Sequence, residues 1–227
     1  MITWGGPVFM NTMDTNIKKT EEFIKNLFEK SDYFKEHVSE KNYRLEHSYR
    51  VANIGKEIAE REGFPVEALV IGCLLHDVSY GMGFDKEEDW INHGRSSAKI
   101  AREFLEELDL DKAVIEEICY GIAIHVDDKA NFDGNRTPLA ASISEADNID
   151  RFDVYRIYDN LRYIGFEDMT LKEKHEKVLS MLDKLIRYKQ EKFQTQTATK
   201  LWNSKLDFQI DFYSKLRDQL DNSCDIQ

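Results

Sequence analysis

A histidine and an aspartate directly follow the most apolar stretch of the sequence. In LVIGCLLHDVSY, residues 69–80, six of the seven residues before His76 are apolar and the seventh is glycine. Burying an ionised carboxylate costs several kcal/mol unless the carboxylate is paired or bound to a metal. Asp77 therefore predicts a compensating group, which other parts of the chain must supply.

Further polar residues fall on the apolar faces or at the ends of predicted helices. These residues are His47, His93, His125 and Asp147. Of these, His93 precedes its predicted helix. Each of these alone is typical of a hydrogen-bonded core residue. Together with His76 and Asp77, however, they place imidazoles and carboxylates on five helical segments. A divalent cation bound by these groups would neutralise Asp77 and Asp147 and would be coordinated by the imidazole nitrogens. His37 and His175 lie in strongly charged segments, so we expect them at the surface.

The elements that would position these residues are helices. Apolar residues at three- and four-residue steps predict helices over 17–30, 43–62, 66–76, 94–108 and 111–125, one that begins with Thr137 and Pro138, and two at about 170–188 and 197–221. Gly63 and Pro65 separate the second helix from the third. Loops 79–92 and 126–137 are predicted to border the pocket. Alternating β-branched runs are few, so the predicted class is all-α.

Length and charge restrict the domain organisation and the classes of partner. We expect residues 1–14 to form an irregular leader and 15–227 a single all-α domain. The formal net charge of -12 disfavours binding to nucleic acids or anionic membranes. No apolar run is long enough to span a bilayer.

The cysteines indicate the compartment. Cys73 and Cys119 lie inside apolar segments and are predicted to be core residues. The three cysteines of the chain are an odd number and include no CxxC pair, which favours a reducing environment. The first eleven residues lack the basic region of a signal peptide, so we expect a cytoplasmic protein.

The same polar residues carry a family resemblance. LEHSYRV with His47, LLHD with His76 and Asp77, and SEADNID with Asp147 resemble the motif of the HD superfamily of metal-dependent hydrolases: a histidine, a His-Asp doublet and a distal aspartate. The resemblance covers roughly residues 40–165 and is greatest to bacterial HD phosphohydrolases. It implies an HD-domain helical bundle, here with additional C-terminal helices at about 168–222.

The resemblance also implies the metal ligands. One ion would bind to His47, His76, Asp77 and Asp147. A second would use His93 and His125, with Asp77 as the bridge, and we favour this two-metal arrangement over a single ion. Mixed histidine and aspartate ligation suits manganese, iron, cobalt, nickel or zinc, and magnesium less well.

The implied activity is hydrolysis of a phosphate ester or phosphoanhydride in a small phosphorylated molecule, with a nucleotide as the favoured substrate. A metal-activated water would attack phosphorus, and Asp77 would hold the metal and orient the water. Arg50 and Arg151 would clamp phosphate oxygens, with Asp150 as a supporting group one turn from Asp147. Salt bridges or helix capping are the alternative roles for these three residues.

Two other functions stay open from the sequence. The first is an HD-type di-iron oxygenase, because histidine and carboxylate ligands also suit iron. The second is a non-catalytic HD module that senses a nucleotide. An apolar stripe in the last helix is predicted to pack on the core, with a homodimer interface as the alternative; the stripe consists of Leu201, Trp202, Leu206, Phe212, Leu216 and Leu220.

Overall fold

The computed structural model describes residues 12–223 of the chain. In this part every regular element is a helix, which confirms the predicted all-α class. The α-helices are α1 (Thr12–Lys30), α2 (Asp32–Glu36), α3 (Val38–Glu62), α4 (Val66–Leu75), α5 (Glu87–Leu105), α6 (Lys112–Ile124), α7 (Pro138–Arg151), α8 (Val154–Tyr163), α9 (Leu171–Tyr188) and α10 (Gln196–Asp221). Short 3-10 helices cover Val78–Met82 and Phe166–Asp168.

The chain forms two compact units, one up to Ser144 and one from Glu145 onward, and the boundary falls inside α7. None of the helices between residues 12 and 223 combines the length and the hydropathy that crossing a bilayer requires. The cytoplasmic location stays a prediction.

Helix α4 lies at the centre of the first unit. It packs against α1, α3 and α6, and all its residues from Ala68 to Leu75 are buried. This burial explains why its sequence is apolar on every side. Gly63 ends α3 with φ of 75°, a left-handed conformation that glycine adopts without strain, and so separates α3 from α4 as predicted. The apolar α4 thereby delivers His76 and Asp77 into the interior of the unit.

Helices α5 and α6 form an antiparallel pair in the same unit. Arg102, near the end of α5, binds Glu116 in the first half of α6, and residues 106–111 connect the two helices at this end. At the opposite end His93 of α5 meets His125, which caps the end of α6. The pair therefore presents one histidine from each helix on the same side.

The second unit is built from the end of α7 and from α8, α9 and α10. Helix α10 packs against α9 and buries Trp202, Leu206 and Tyr213. The Trp202 indole nitrogen donates to the backbone oxygen of Tyr188 at 3.1 Å, and its ring lies 4.7 Å from that of Phe152, centroid to centroid. Part of the C-terminal apolar stripe is thus buried within this unit, while a homodimer stays a prediction.

Some helix boundaries differ from the predictions. Helix α5 begins at Glu87, not at residue 94, so His93 lies inside the helix and does not precede it. Hydrogen bonds between Lys86 and Asp89 cap this start, and acidic side chains in the first turn suit the positive end of the helix dipole. Helix α2 was not predicted, nor was the break before α8, where the Asp153 carboxylate accepts from the Val154 amide. Most of the predicted leader lies outside the described residues, and α1 begins at Thr12.

Candidate metal centre

Asp77 lies at the centre of a polar cluster in the first unit. It is 3% exposed and follows His76 at the end of α4. Its Oδ2 lies 3.7 Å from Nε2 of His47 and 3.6 Å from Nε2 of His76. Its Oδ1 lies 3.3 Å from Nε2 of His93 and 3.5 Å from Nε2 of His125. Each carboxylate oxygen therefore faces its own pair of imidazoles.

The other ring nitrogen, Nδ1, is anchored to the backbone in three of these histidines. In His76, His93 and His125, Nδ1 lies 2.7, 2.6 and 2.7 Å from the carbonyl oxygen three residues earlier. A carbonyl oxygen can only accept, so Nδ1 carries the hydrogen and a neutral ring has its lone pair on Nε2. The backbone thus fixes both the tautomer and the orientation that a metal ligand needs.

The Nε2 atoms face each other within each pair. Nε2 of His93 is 3.0 Å from Nε2 of His125, and Nε2 of His47 is 3.3 Å from Nε2 of His76. In the His93–His125 pair both Nδ1 atoms donate to the backbone, so two lone pairs face each other there; two lone pairs cannot form a hydrogen bond, and a proton or a metal cation must lie between them. His76, Asp77 and His125 each offer a ligand atom, all within 4.8 Å of one another.

The spacing of these donors fits a divalent metal. With metal–nitrogen bonds of about 2.0–2.1 Å and metal–oxygen bonds of about 2.0–2.2 Å, two ligand atoms lie about 3.0 Å apart at a right angle and about 3.4 Å apart at the tetrahedral angle. The donor separations around Asp77, from 3.0 to 3.7 Å, are close to this range. The residues present therefore suit a metal ion without a large rearrangement.

The electrostatics keep Asp77 charged. Burial by itself raises the pKa of this carboxyl, but the neighbouring imidazoles of His76, His125 and His93 and the Arg44 guanidinium outweigh that effect and place the pKa well below its usual value. Asp77 is therefore an anion at neutral pH. An ionised carboxylate suits a metal ligand. The neighbouring histidines and Arg44 compensate the buried charge of Asp77.

Arg44 is a member of the cluster that the sequence analysis missed. Its Nη1 donates to Oδ2 of Asp77 at 3.1 Å, and its guanidinium carbon lies 3.3 Å from the ring centroid of Tyr80. Arg44 lies three residues before His47 and so shares a face of α3 with it. That spacing was the signal in the sequence that would have identified it.

The remaining predicted residues lie as follows. Arg50 is half-buried on α3, with its guanidinium carbon 5.9 Å from the ring centroid of Tyr43. In the second unit, Asp147 and Asp150 are buried on α7. Arg151 is half exposed, and its Nη1 lies 3.9 Å from Oδ2 of Asp147. The roles given to these four residues stay predictions.

The remaining histidines and two of the cysteines lie where the sequence indicated. His37 is exposed, and the partly exposed His175 lies 2.6 Å from a carboxylate oxygen of Asp221. Cys73 and Cys119 are buried thiols, which confirms their assignment to the core.

Comparison with known families identifies the domain. Residues 44–151 match the model of the HD domain family. Residues 44–151 therefore form an HD domain, as the motif resemblance implied. An HD domain implies binding of a divalent metal, in agreement with the donor geometry around Asp77.

Solved structures of low sequence identity share the fold. An HD superfamily hydrolase from an uncultured Thermotogales bacterium is 18% identical with a TM-score of 0.60, over 92% of this chain and 99% of its own. An HD-superfamily hydrolase from Bacillus thuringiensis is 18% identical with a TM-score of 0.61, over 93% and 100% of the two chains. Bacillus subtilis YpgQ, solved in complex with ADP, is 14% identical with a TM-score of 0.57, over 92% and 97%. Among curated proteins, none matches this chain.

Proposed function

We propose that this protein is a metal-dependent phosphohydrolase that cleaves a phosphate ester or phosphoanhydride in a small molecule, with a nucleotide as the favoured substrate. The observation that carries the proposal is the Asp77 carboxylate, whose two oxygens each face one pair of imidazoles. A divalent metal bound there supplies charge neutralisation at phosphate oxygens and lowers the pKa of a bound water.

The proposed ligands of the first ion are His47, His76, Asp77 and Asp147. The distal aspartate of the motif supports including Asp147, which is buried on α7.

The proposed ligands of the second ion are His93 and His125, with Asp77 as the bridge. Their facing Nε2 atoms, 3.0 Å apart, support this assignment. Asp77 would hold both ions at a fixed separation and accept a hydrogen bond from the attacking water, which orients that water toward phosphorus.

A basic cavity in the second unit supports a phosphate-containing substrate. The cavity has a volume of about 120 Å³ and is lined by Arg151, Arg156 and Lys184. The described residues that line it include no acidic side chain. Arg151 and Arg156 each have an acidic neighbour outside the lining, Asp147 at 3.9 Å and Asp159 at 3.1 Å. Lys184 supplies the remaining positive charge that would attract an anionic group. The guanidinium of Arg151 matches the geometry of phosphate oxygens, which supports its proposed role as a clamp.

The choice of a nucleotide as first substrate is supported by the ADP bound to Bacillus subtilis YpgQ, a protein of the same fold. The test is a phosphate-release screen over nucleoside monophosphates, nucleoside triphosphates, dinucleoside polyphosphates and sugar phosphates. Each substrate is assayed with manganese, iron, cobalt, nickel, zinc and magnesium, and magnesium is expected to be among the weaker activators.

Three variants make this screen specific for the proposed site. His76→Ala and Asp77→Ala each remove a ligand and are expected to abolish metal binding and phosphate release. His175→Ala removes a partly exposed histidine elsewhere and is expected to leave both unchanged. Full metal content and activity in the first two variants would show that the site is wrongly assigned.

The two alternative functions give different results in the same experiment. Oxygen uptake by iron-loaded protein without phosphate release would favour the di-iron oxygenase. Tight nucleotide binding without turnover in any of the metals would favour the sensor.

A further inference from the structure

The end of the α5–α6 pair that carries His93 and His125 has no connecting turn. The connection, residues 106–111, lies at the opposite end. Alignment of the two histidines therefore depends on contacts between side chains and backbone at the open end. Several of the contacts there come from one arginine, Arg95.

Arg95 joins the open ends of α5 and α6. It lies two residues after His93, and its partner Asp127 lies two residues after His125. Nη1 of Arg95 donates to Oδ1 of Asp127 at 2.8 Å, and Nη2 donates to Oδ2 at 3.3 Å. This two-pronged ion pair joins the same two segments of chain as the histidine pair.

The other hydrogen bonds of Arg95 fix its position. Nε donates to the side-chain oxygen of Asn92 at 2.9 Å, Nη1 also donates to the Lys129 carbonyl at 2.9 Å, and Nη2 also donates to the Ile91 carbonyl at 2.9 Å. With the two bonds to Asp127, all five N–H groups of the guanidinium are used. Arg95 therefore has no donor left for a substrate, and its contacts tie the chain after α6 to α5.

We propose that Arg95 is a positioning residue for the second metal ion, which holds Nε2 of His93 and Nε2 of His125 at the separation that the ion requires. The proposal rests on the two-metal centre of the proposed function. Metal–ligand distances tolerate deviations of only about 0.2 Å, so loss of this link at the open end is expected to weaken the second ion selectively. The first ion, which does not use these two histidines, should stay bound.

The chain provides a matched control in Arg102. Nη1 and Nη2 of Arg102 donate to the two carboxylate oxygens of Glu116 at 2.6 and 2.8 Å. This ion pair joins the same two helices, but it lies near their connected end. Arg102→Gln therefore removes a similar link between α5 and α6 without changing the end that carries the histidines.

The experiment compares the wild-type protein with Arg95→Gln, Arg95→Lys and Arg102→Gln after loading with Co²⁺. Bound metal is measured by mass spectrometry after gel filtration, and the cobalt ligand field by visible absorption. Wild type and Arg102→Gln are expected to hold two ions. In Arg95→Gln the affinity for the second ion should fall about 10–100-fold, the usual effect of removing a group that orients a ligand. Arg95→Lys keeps the charge without the fork and should restore the affinity only in part.

Failure of this inference is distinguishable from failure of the proposed function. Two tightly bound ions and a wild-type cobalt spectrum in Arg95→Gln would overturn the role of Arg95 and leave the metal centre intact. A single ion in the wild-type protein would overturn the second metal site and this inference together. If circular dichroism shows that Arg95→Gln does not fold, Asp127→Asn provides the same test, and its retention of both ions would contradict the proposal.

Discussion

Replacing Gly94 by alanine tests how closely α5 must approach α6 at the metal centre. Gly94 follows His93, and its backbone lies against the last turn of α6. A Cβ atom at this position would lie 2.9 Å from the carbonyl oxygen of Ala123, 3.0 Å from that of Ile122 and 3.1 Å from Nδ1 of His125. Ordinary van der Waals contacts of a Cβ begin at 3.4 Å. The substitution therefore requires backbone to move, because two of the three atoms belong to the main chain.

Two effects of Gly94→Ala oppose each other. Helix propensity alone favours alanine by about 1 kcal/mol. Forcing an extra methyl group into a packed contact costs about 1–3 kcal/mol. Relieving the closest contact needs a shift of about 0.5 Å, more than the tolerance of about 0.2 Å for metal–ligand distances. We therefore expect a net destabilisation of up to about 2 kcal/mol, together with weaker binding of the second ion.

Thermal unfolding in EDTA and metal analysis measure these two effects separately. For a chain of this size, each 1 kcal/mol of destabilisation lowers the Tm by about 2–4 °C. Gly81→Ala is the matched control, because its Cβ would have its nearest neighbour, a ring carbon of Phe28, at an ordinary 3.6 Å. The control should keep its Tm and both ions. A higher Tm for Gly94→Ala with both ions bound would refute the close-approach argument.

Further predictions concern charge and burial. Arg44→Gln removes a charged hydrogen bond to the buried Asp77, so the free energy of unfolding of the metal-free protein should fall by about 1.5–3 kcal/mol. Added Mn²⁺ should reduce this loss of stability. An equal loss with and without metal in thermal unfolding would contradict the prediction. The hydrogen bond from Arg102 lowers the pKa of Glu116, so the stability it contributes is present above the usual carboxyl pKa and is lost as the pH falls through the lowered value. Glu116→Gln should cost about 0.2–1 kcal/mol at pH 7, as for exposed pairs, and nothing in strong acid; a difference that does not change with pH in urea unfolding would oppose this. Burial raises the pKa of the Cys119 thiol to about 11, so peptide mapping should find it alkylated at pH 8 only after unfolding, and rapid labelling of the native protein would be inconsistent with its burial.

The sequence was sufficient to predict the helices whose apolar faces are buried. The predicted helix at 66–76 corresponds to α4 (Val66–Leu75), because a run that is apolar on every side has only an interior position open to it. The first turns of α5 were missed because residues 87–92 have no apolar stripe. There the helix is supported by end capping and by acidic side chains near its positive end, which are weaker local signals.

The candidate metal ligands were predictable for a similar reason. His47, His76 and His125 lie on apolar faces or helix ends, where a polar residue stands out. Arg44 and Arg95 were missed because their local sequences are those of ordinary solvated helix positions. Each is committed to an aspartate more than 30 residues away, Asp77 or Asp127, and such a pairing is fixed only when the helices pack.

The proposed function would place a metal ion at each carboxylate oxygen of Asp77. Anomalous diffraction from crystals grown with Mn²⁺ tests this directly. We expect two peaks, one beside Nε2 of His47 and His76 and one beside Nε2 of His93 and His125, with the Asp77 carboxylate between them. Well-ordered imidazoles around Asp77 with no anomalous peak within bonding distance would contradict it.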